Sequence, residues 1–74
     1  MRWFDKDLNR AKTLLQQVYD ILNDIKEEQE EKNDNVPENF QSSERFERAE
    51  ERVETFDEAI SNVEEVIDNL ENIE

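Results

Sequence analysis

Carboxylates are the side chains through which this sequence could do chemistry. Its 74 residues include 22 Asp and Glu against nine Lys and Arg, with no His and no Cys. In the second half of the chain, seven acidic residues follow one another mostly at steps of three and four, the spacing that places side chains on one face of a helix. We call them the acidic row and predict that they bind a partner: Glu44, Glu47, Glu51, Glu54, Glu58, Glu65 and Asp68.

The composition argues against an enzyme. Without His or Cys the chain lacks the usual general base, nucleophile and soft metal ligand, and without Gly it has no phosphate-cradling loop. Neighbouring carboxylates such as Glu50 and Glu51 point about 100° apart on a helix and cannot share one substrate. We therefore expect no catalytic residue, no metal site and no cofactor.

The net charge of −13 indicates what kind of partner the chain can bind. Residues 1–32 carry six bases and eight acids, whereas residues 33–74 carry three bases and fourteen acids. A strongly acidic surface repels nucleic acids and anionic membranes and attracts basic surfaces. We expect a protein partner with a basic surface, and neither direct nucleic-acid binding nor membrane binding. The other interpretation of the acidic row is that it only keeps the chain soluble.

Two helices are predicted to position the acidic row. In the second, at 43–73, apolar residues alternate between heptad positions a and d, which is typical of a helix packed on another helix. The residues at a are Phe46, Val53, Ile60 and Ile67, and those at d are Ala49, Phe56, Val63 and Leu70. The first helix, at 5–32, repeats the pattern with Leu8, Ala11, Leu15, Val18, Leu22 and Ile25.

A turn is predicted at 33–42, between the two helices. Pro37 disfavours helical geometry at Val36, and either Ser42 or Ser43 can cap the second helix. Two long helices joined by so short a connection must lie antiparallel. The sequence thus predicts one all-α domain spanning 1–74, an antiparallel two-helix hairpin resembling a coiled coil.

The two sides of this hairpin differ in composition. On one side, at heptad position e, one register pairs Lys26 with Glu50 and Lys12 with Glu64, which are opposite charges, and brings Tyr19 to Asp57. On the other side, at position g, the same register brings Glu28 to Arg52 and leaves apolar residues in water. We call those apolar residues the apolar flank: Leu14, Ile21, Ala59, Val66 and Ile73.

An exposed apolar flank favours self-association. We expect a homodimer in which two hairpins form a four-helix bundle. Trp3 lies off the seam and either packs on the hairpin end or serves as an exposed anchor for a partner. Phe40 is expected to fold back onto the bend. The absence of an apolar leader or membrane segment predicts a cytoplasmic protein.

Part of the chain resembles a known group of proteins. Residues 35–45 read N-V-P-E-N-F-Q-S-S-E-R, and they precede acidic repeats at 58–60 and 64–71. This resembles the "N-x-P-E-N/S-L-Q-x-S-E-R" turn and "EEAIDxLE" repeats of short acidic proteins from bacteria, phages and mobile elements. Phe40 stands where Leu is usual. The resemblance implies a helical hairpin and a mobile-element setting, where small acidic proteins that block host nucleic-acid enzymes are common.

Two functional hypotheses follow. In the first, the chain is a non-enzymatic acidic protein-binding module that engages a basic nucleic-acid-binding partner by charge mimicry, as a DNA mimic of a phage or mobile element would. In the second, it is a self-associating structural hairpin whose working surface is the apolar flank, and the acid serves solubility alone.

Overall fold

The fold is a hairpin of two long helices. The computed structural model describes residues 5–73. Helix α1 runs from Asp5 to Asp34, a single 3-10 turn spans Glu38–Phe40, and helix α2 runs from Glu44 to Glu71. The two helices pack along each other to give a rod of 59 × 15 × 13 Å. The predicted all-α helical hairpin is confirmed; α1 continues two residues beyond the expected end at 32, and α2 is three residues shorter than the expected 43–73.

Local hydrogen bonds fix the bend. Of the two candidate serines, Ser43 is the one that caps α2, since its Oγ accepts a hydrogen bond from the backbone N–H of Phe46 at 3.1 Å. The same Oγ donates to the carbonyl of Phe40 at 2.7 Å. Pro37 lies just before the 3-10 turn, and its carbonyl accepts from the N–H of Phe40 at 2.9 Å. The bend is therefore an ordered connection that starts α2 at a defined residue.

The register of the hairpin differs from the prediction by one heptad. The Nζ of Lys26 lies 2.8 Å from Oδ1 of Asp57, so Lys26 does not pair with Glu50. Tyr19 shares a groove with Glu64 and Ile67, so it does not pair with Asp57. The predicted pairing of Lys12 with Glu64 is wrong for the same reason.

The 3-10 turn explains the shift. The prediction reversed the chain at Pro37, but Glu38–Phe40 adds a turn of helix-like backbone after it, so the reversal falls nearer Gln41. Moving the point of chain reversal by about half a heptad lengthens one arm of the hairpin and shortens the other by the same amount. The two changes add, so α2 slides by a whole heptad along α1. The slide keeps a and d residues at the interface because the pattern repeats every seven residues.

A polar clamp ties the helices together near the bend. The side-chain amide of Asn33 donates to the backbone carbonyl of Ala49 on α2 at 3.1 Å. Gln29, one turn earlier, donates to Oδ1 of Asn33 at 2.9 Å and holds that amide in place. Both residues lie where the apolar pattern of α1 ends, so side-chain hydrogen bonds replace apolar contacts there. The sequence prediction did not include this clamp.

The apolar core is small. Ile60, in the middle of α2, is 5% exposed and is the one buried residue among the described residues. The other seam residues are half-buried, except Val18, which was assigned to the seam and is exposed. Phe40, expected to fold back onto the bend, is also exposed. Two helices cover each other along one line only, which limits burial in so short a chain.

The cross-helix ion pair predicts a pH dependence of stability. The hydrogen bond from Lys26 to Asp57 raises the pKa of Lys26 above its usual 10.5, and the nearby Glu30 carboxylate raises it further. A pKa raised in the folded state contributes stability in full below the unfolded pKa, and the contribution is lost as the pH rises through the folded pKa. We therefore expect the free energy of unfolding of wild type to exceed that of Lys26→Met near neutral pH, and the gap to close above pH 10.5.

Urea unfolding followed by circular dichroism between about pH 8 and pH 11.5 measures this gap. The matched control is Lys32→Met, because Lys32 pairs only within α1, with Glu28 at 3.4 Å. A gap for Lys26→Met that persists unchanged to the highest pH would show that Asp57 is not its stabilising partner.

Candidate functional site

The acidic row lies on the outer face of α2. Its seven residues occupy heptad positions b and f, which point away from α1, and all seven are exposed. Glu44 pairs with Arg48 within the same helix at 2.8 Å. Within residues 6–73, the other six members of the row form no ion pair. The row is therefore a set of solvent-facing negative charges available to a partner.

The charge density of α2 is high for a helix. Its 28 residues include eleven acids, the seven of the row and four at position e. At about 1.5 Å rise per residue these acids average one per ~4 Å of axis, compared with ~3.4 Å per phosphate along one DNA strand. The acids at e are Glu50, Asp57, Glu64 and Glu71. In the axial spacing of its acids α2 thus resembles a nucleic-acid strand, although three arginines lower its net charge.

The side of the hairpin at position g exposes apolar residues. Of the predicted apolar flank, Leu14, Ile21, Val66 and Ile73 are 50, 57, 43 and 52% exposed. Ala59 was predicted with them but is half-buried. Val18, 42% exposed, lies one turn of helix from both Leu14 and Ile21 and extends the strip instead. The register found in the structure places Ile21 level with Val66, and Leu14 level with Ile73.

Arg52 does not form the ion pair that was predicted for it on this side. Its guanidinium carbon lies 5.3 Å from the ring centroid of Phe56, within the distance of a cation–π contact. Glu28, its predicted partner, pairs with Lys32 instead. Both changes follow from the register, which moves Glu28 one heptad away from Arg52. Arg52 and Glu28 are therefore not paired with each other on the g side of the hairpin.

One side of α2 carries no acid, and the sequence prediction did not identify it. All eleven acids of α2 occupy positions b, e and f, whereas positions c and g contain none. All three arginines of α2 lie at c and g. The residues at c and g are Arg45, Arg48, Arg52, Thr55, Ala59, Asn62, Val66 and Asn69. Counting acids by heptad position, in addition to hydrophobic residues, would have revealed this side.

In the part of the chain that the structure describes, no group of His, Cys, Asp and Glu side chains is arranged to bind a metal ion. No helix within 5–73 combines the length and apolar character needed to cross a bilayer. An open groove of about 360 Å³ at the bend has Phe40, Val36 and Ala49 in its lining, with Lys32 and Arg45 beside them. Trp3, the predicted anchor, lies outside the described residues.

Comparison with other proteins adds no assignment. The chain matches no known protein family, no curated protein and no solved structure.

Proposed function

We propose that the protein is a non-enzymatic binding module whose acidic α2 engages a basic, nucleic-acid-binding protein. The observation that carries the proposal is the charge of α2. The 28 residues of α2 include eleven acids, at the outward positions b and f and at the flanking position e. Within residues 6–73, only Glu44 and Asp57 of these eleven form ion pairs. A basic groove that binds phosphates by charge and spacing would accept such a helix.

The physical basis is exchange of ions. A basic groove releases the anions bound to it when a rigid row of carboxylates replaces them, and the entropy of those released ions favours binding. The hairpin keeps the carboxylates in a straight row before binding, which lowers the entropy lost on association. The resemblance to short acidic proteins of phages and mobile elements supports an inhibitory role.

Reversing charges in the row should abolish binding. Glu51, Glu54 and Glu58 are exposed and at consecutive f and b positions, so changing all three to Lys puts positive charge at the centre of the row. We expect at least a tenfold loss in the capture of heparin-binding proteins by the immobilised chain at about 50 mM salt, because the potential of the row is reversed. Short duplex DNA should displace the proteins that wild type captures.

The matched control places the same three charge reversals elsewhere. Asp20, Glu27 and Asp34 on α1 are also exposed, and changing them to Lys alters the net charge equally while leaving α2 intact. We expect this control variant to keep capture within about twofold at the same salt. Equal loss in both variants, or capture that survives about 0.5 M salt, would rule out a specific role for the acidic row.

The alternative is a structural hairpin that works through its apolar flank, and the exposure of Ile21 and Val66 favours it as a second candidate. Under that alternative, Ile21→Asp with Val66→Asp abolishes capture and the three Lys substitutions in the acidic row do not.

A further inference from the structure

We propose that a second copy of this chain covers the acid-free side, and that the two hairpins lie side by side with their bends at the same end of a four-helix bundle. The proposal concerns a different surface from the acidic row and holds whether or not that row binds a partner. It rests on three features of the described residues: the apolar strip, the absence of acid around it on α2, and the arrangement of charges near the bend.

The apolar strip is large enough to form the centre of a dimer interface. Leu14, Val18, Ile21, Val66 and Ile73 are each 42–57% exposed. Together they present roughly 400–500 Å² of apolar surface per copy, near the upper limit for the largest patch on a monomer. Two copies joined through the strip and its polar neighbours reach the lower end of the roughly 1,200–2,000 Å² that stable interfaces bury.

The hairpin also needs to bury more apolar surface than a single copy buries. With Ile60 as the one buried residue of the described residues, the single hairpin has little core. Short helical chains usually become stable by self-association when they lack disulfides and metals, and this chain has no Cys. Stacking a second hairpin on the strip converts one line of apolar contacts into the four-sided core of a bundle.

Charge selects which side can be covered. Two copies that each carry a net charge of −13 repel each other, so contact is least unfavourable where acids are fewest. On α2 that is the side formed by positions c and g, which carries Arg45, Arg48 and Arg52 and no acid. The apolar residues Val66 and Ile73 lie at g on the same side. On α2 the apolar and the acid-free surfaces therefore coincide, whereas the same positions of α1 carry Asp7, Asp24, Glu28 and Glu31.

Charge also selects the orientation. On α1, the corresponding positions near the bend carry Glu28 and Glu31, and both are exposed. If the twofold axis runs along the bundle, α1 of one copy packs antiparallel against α2 of the other. Residues that lie at the same height within one hairpin then also lie at the same height between the two copies. Ile21 then meets Val66 of the second copy, and Glu31 lies close to Arg52 of the second copy.

The opposite orientation loses this match. If the bends lie at opposite ends, α1 packs antiparallel on α1 of the second copy, about a centre near Val18. Glu31 then approaches Asp7 of the second copy, which is repulsive. Arg52 falls near the far end of the second copy, away from both Glu28 and Glu31. The same-end arrangement is therefore the one that brings Arg52 to an acid, whereas the opposite arrangement brings Arg10 of the second copy near Glu28.

Mass and distance measurements test the proposal. We expect light scattering of the full chain at about 100 μM to give twice the chain mass of 8.9 kDa. Ile21→Asp with Val66→Asp should give the mass of one chain, with the helical circular dichroism of a hairpin retained, because both positions are exposed in the single copy. Wild type that stays at one chain mass up to about 1 mM would overturn the proposal.

Charge exchange tests the orientation without touching the strip. Arg52→Glu should weaken the dimer at least tenfold by placing acid against Glu31 of the second copy, and adding Glu31→Arg should restore most of the loss. Arg10→Glu, on the same side of α1 but at the open end, is the control and should change dimerisation less. Failure of Glu31→Arg to restore association would overturn the same-end arrangement.

A spin label gives the distance directly, because the chain contains no Cys. With Asn39→Cys labelled at the bend, the same-end dimer predicts a label separation of about 20–35 Å, two or three helix diameters. The opposite-end dimer predicts about 50 Å or more, because the hairpin is 59 Å long. A long distance, or no distance at all, would contradict the proposal.

Discussion

Truncating Ile60 to Ala is expected to unfold most of the protein at room temperature. Truncating a buried Ile to Ala costs about 2–5 kcal/mol, through lost burial and the cavity left behind. A domain of this length has a total stability of about 4–11 kcal/mol, and one with so little core belongs near the lower end. Ile60 is the one buried residue in the described part of the chain, so its truncation removes the most buried contacts of the seam.

Thermal unfolding followed by circular dichroism measures this loss, and Ile73→Ala is the matched control. Ile73 is 52% exposed and follows the end of α2, so its truncation should cost well under half as much. Both truncations are best compared in the Ile21→Asp, Val66→Asp background, where a second copy cannot cover Ile73. Equal losses at the two positions would mean that the seam around Ile60 is not the centre of the core.

Raising the salt concentration from about 10 mM to 500 mM is expected to stabilise the hairpin substantially, because the Debye length falls from about 30 Å to a few Å. The acids of α2 lie repeatedly three or four residues apart, and each such like-charge pair costs about 0.2–0.5 kcal/mol at low salt. Several pairs together amount to about 2 kcal/mol, which corresponds to a rise in Tm of about 8–16 °C for a domain of this length.

Neutralising part of the row tests the cause of that rise. Changing Glu47, Glu54 and Glu58 to Gln keeps the shape of each side chain and removes three exposed charges that have no ion-pair partner within residues 6–73. This variant should be more stable than wild type at low salt and should gain less from added salt. A Tm that falls as salt is added would show instead that ion pairs such as Lys26–Asp57 outweigh the repulsion.

The fold could be predicted from the sequence because the pattern of apolar residues that determines it is periodic. Apolar residues at a and d specify which face of each helix is buried, and one short connection with Pro37 requires an antiparallel hairpin. The register could not be predicted in the same way. A slide of seven residues replaces Glu50 with Asp57 opposite Lys26, so both the seam and the charge pattern survive. Only the local conformation at Glu38–Phe40, which follows no periodic rule, separates the two registers.

The candidate surfaces likewise include one feature that the sequence predicts and others that it does not. The outward position of the acidic row follows from helical spacing alone and does not depend on register. The extent of the apolar strip was predicted only in part, because Ala59 is half-buried and Val18 is exposed. The bond from Asn33 to the carbonyl of Ala49 joins a side chain to a backbone group sixteen residues away. No spacing rule predicts such a bond, because the acceptor is present in every residue.

The register on which these surfaces depend can be tested with one aromatic ring. Tyr19 is the one tyrosine of the chain, and in the structure it shares a groove with Ile67. In nuclear Overhauser spectra of the isotopically labelled protein, we predict cross-peaks between the ring protons of Tyr19 and the methyl groups of Ile67. Cross-peaks from Tyr19 to Ile60, seven residues earlier, with none to Ile67, would contradict the hairpin register described here.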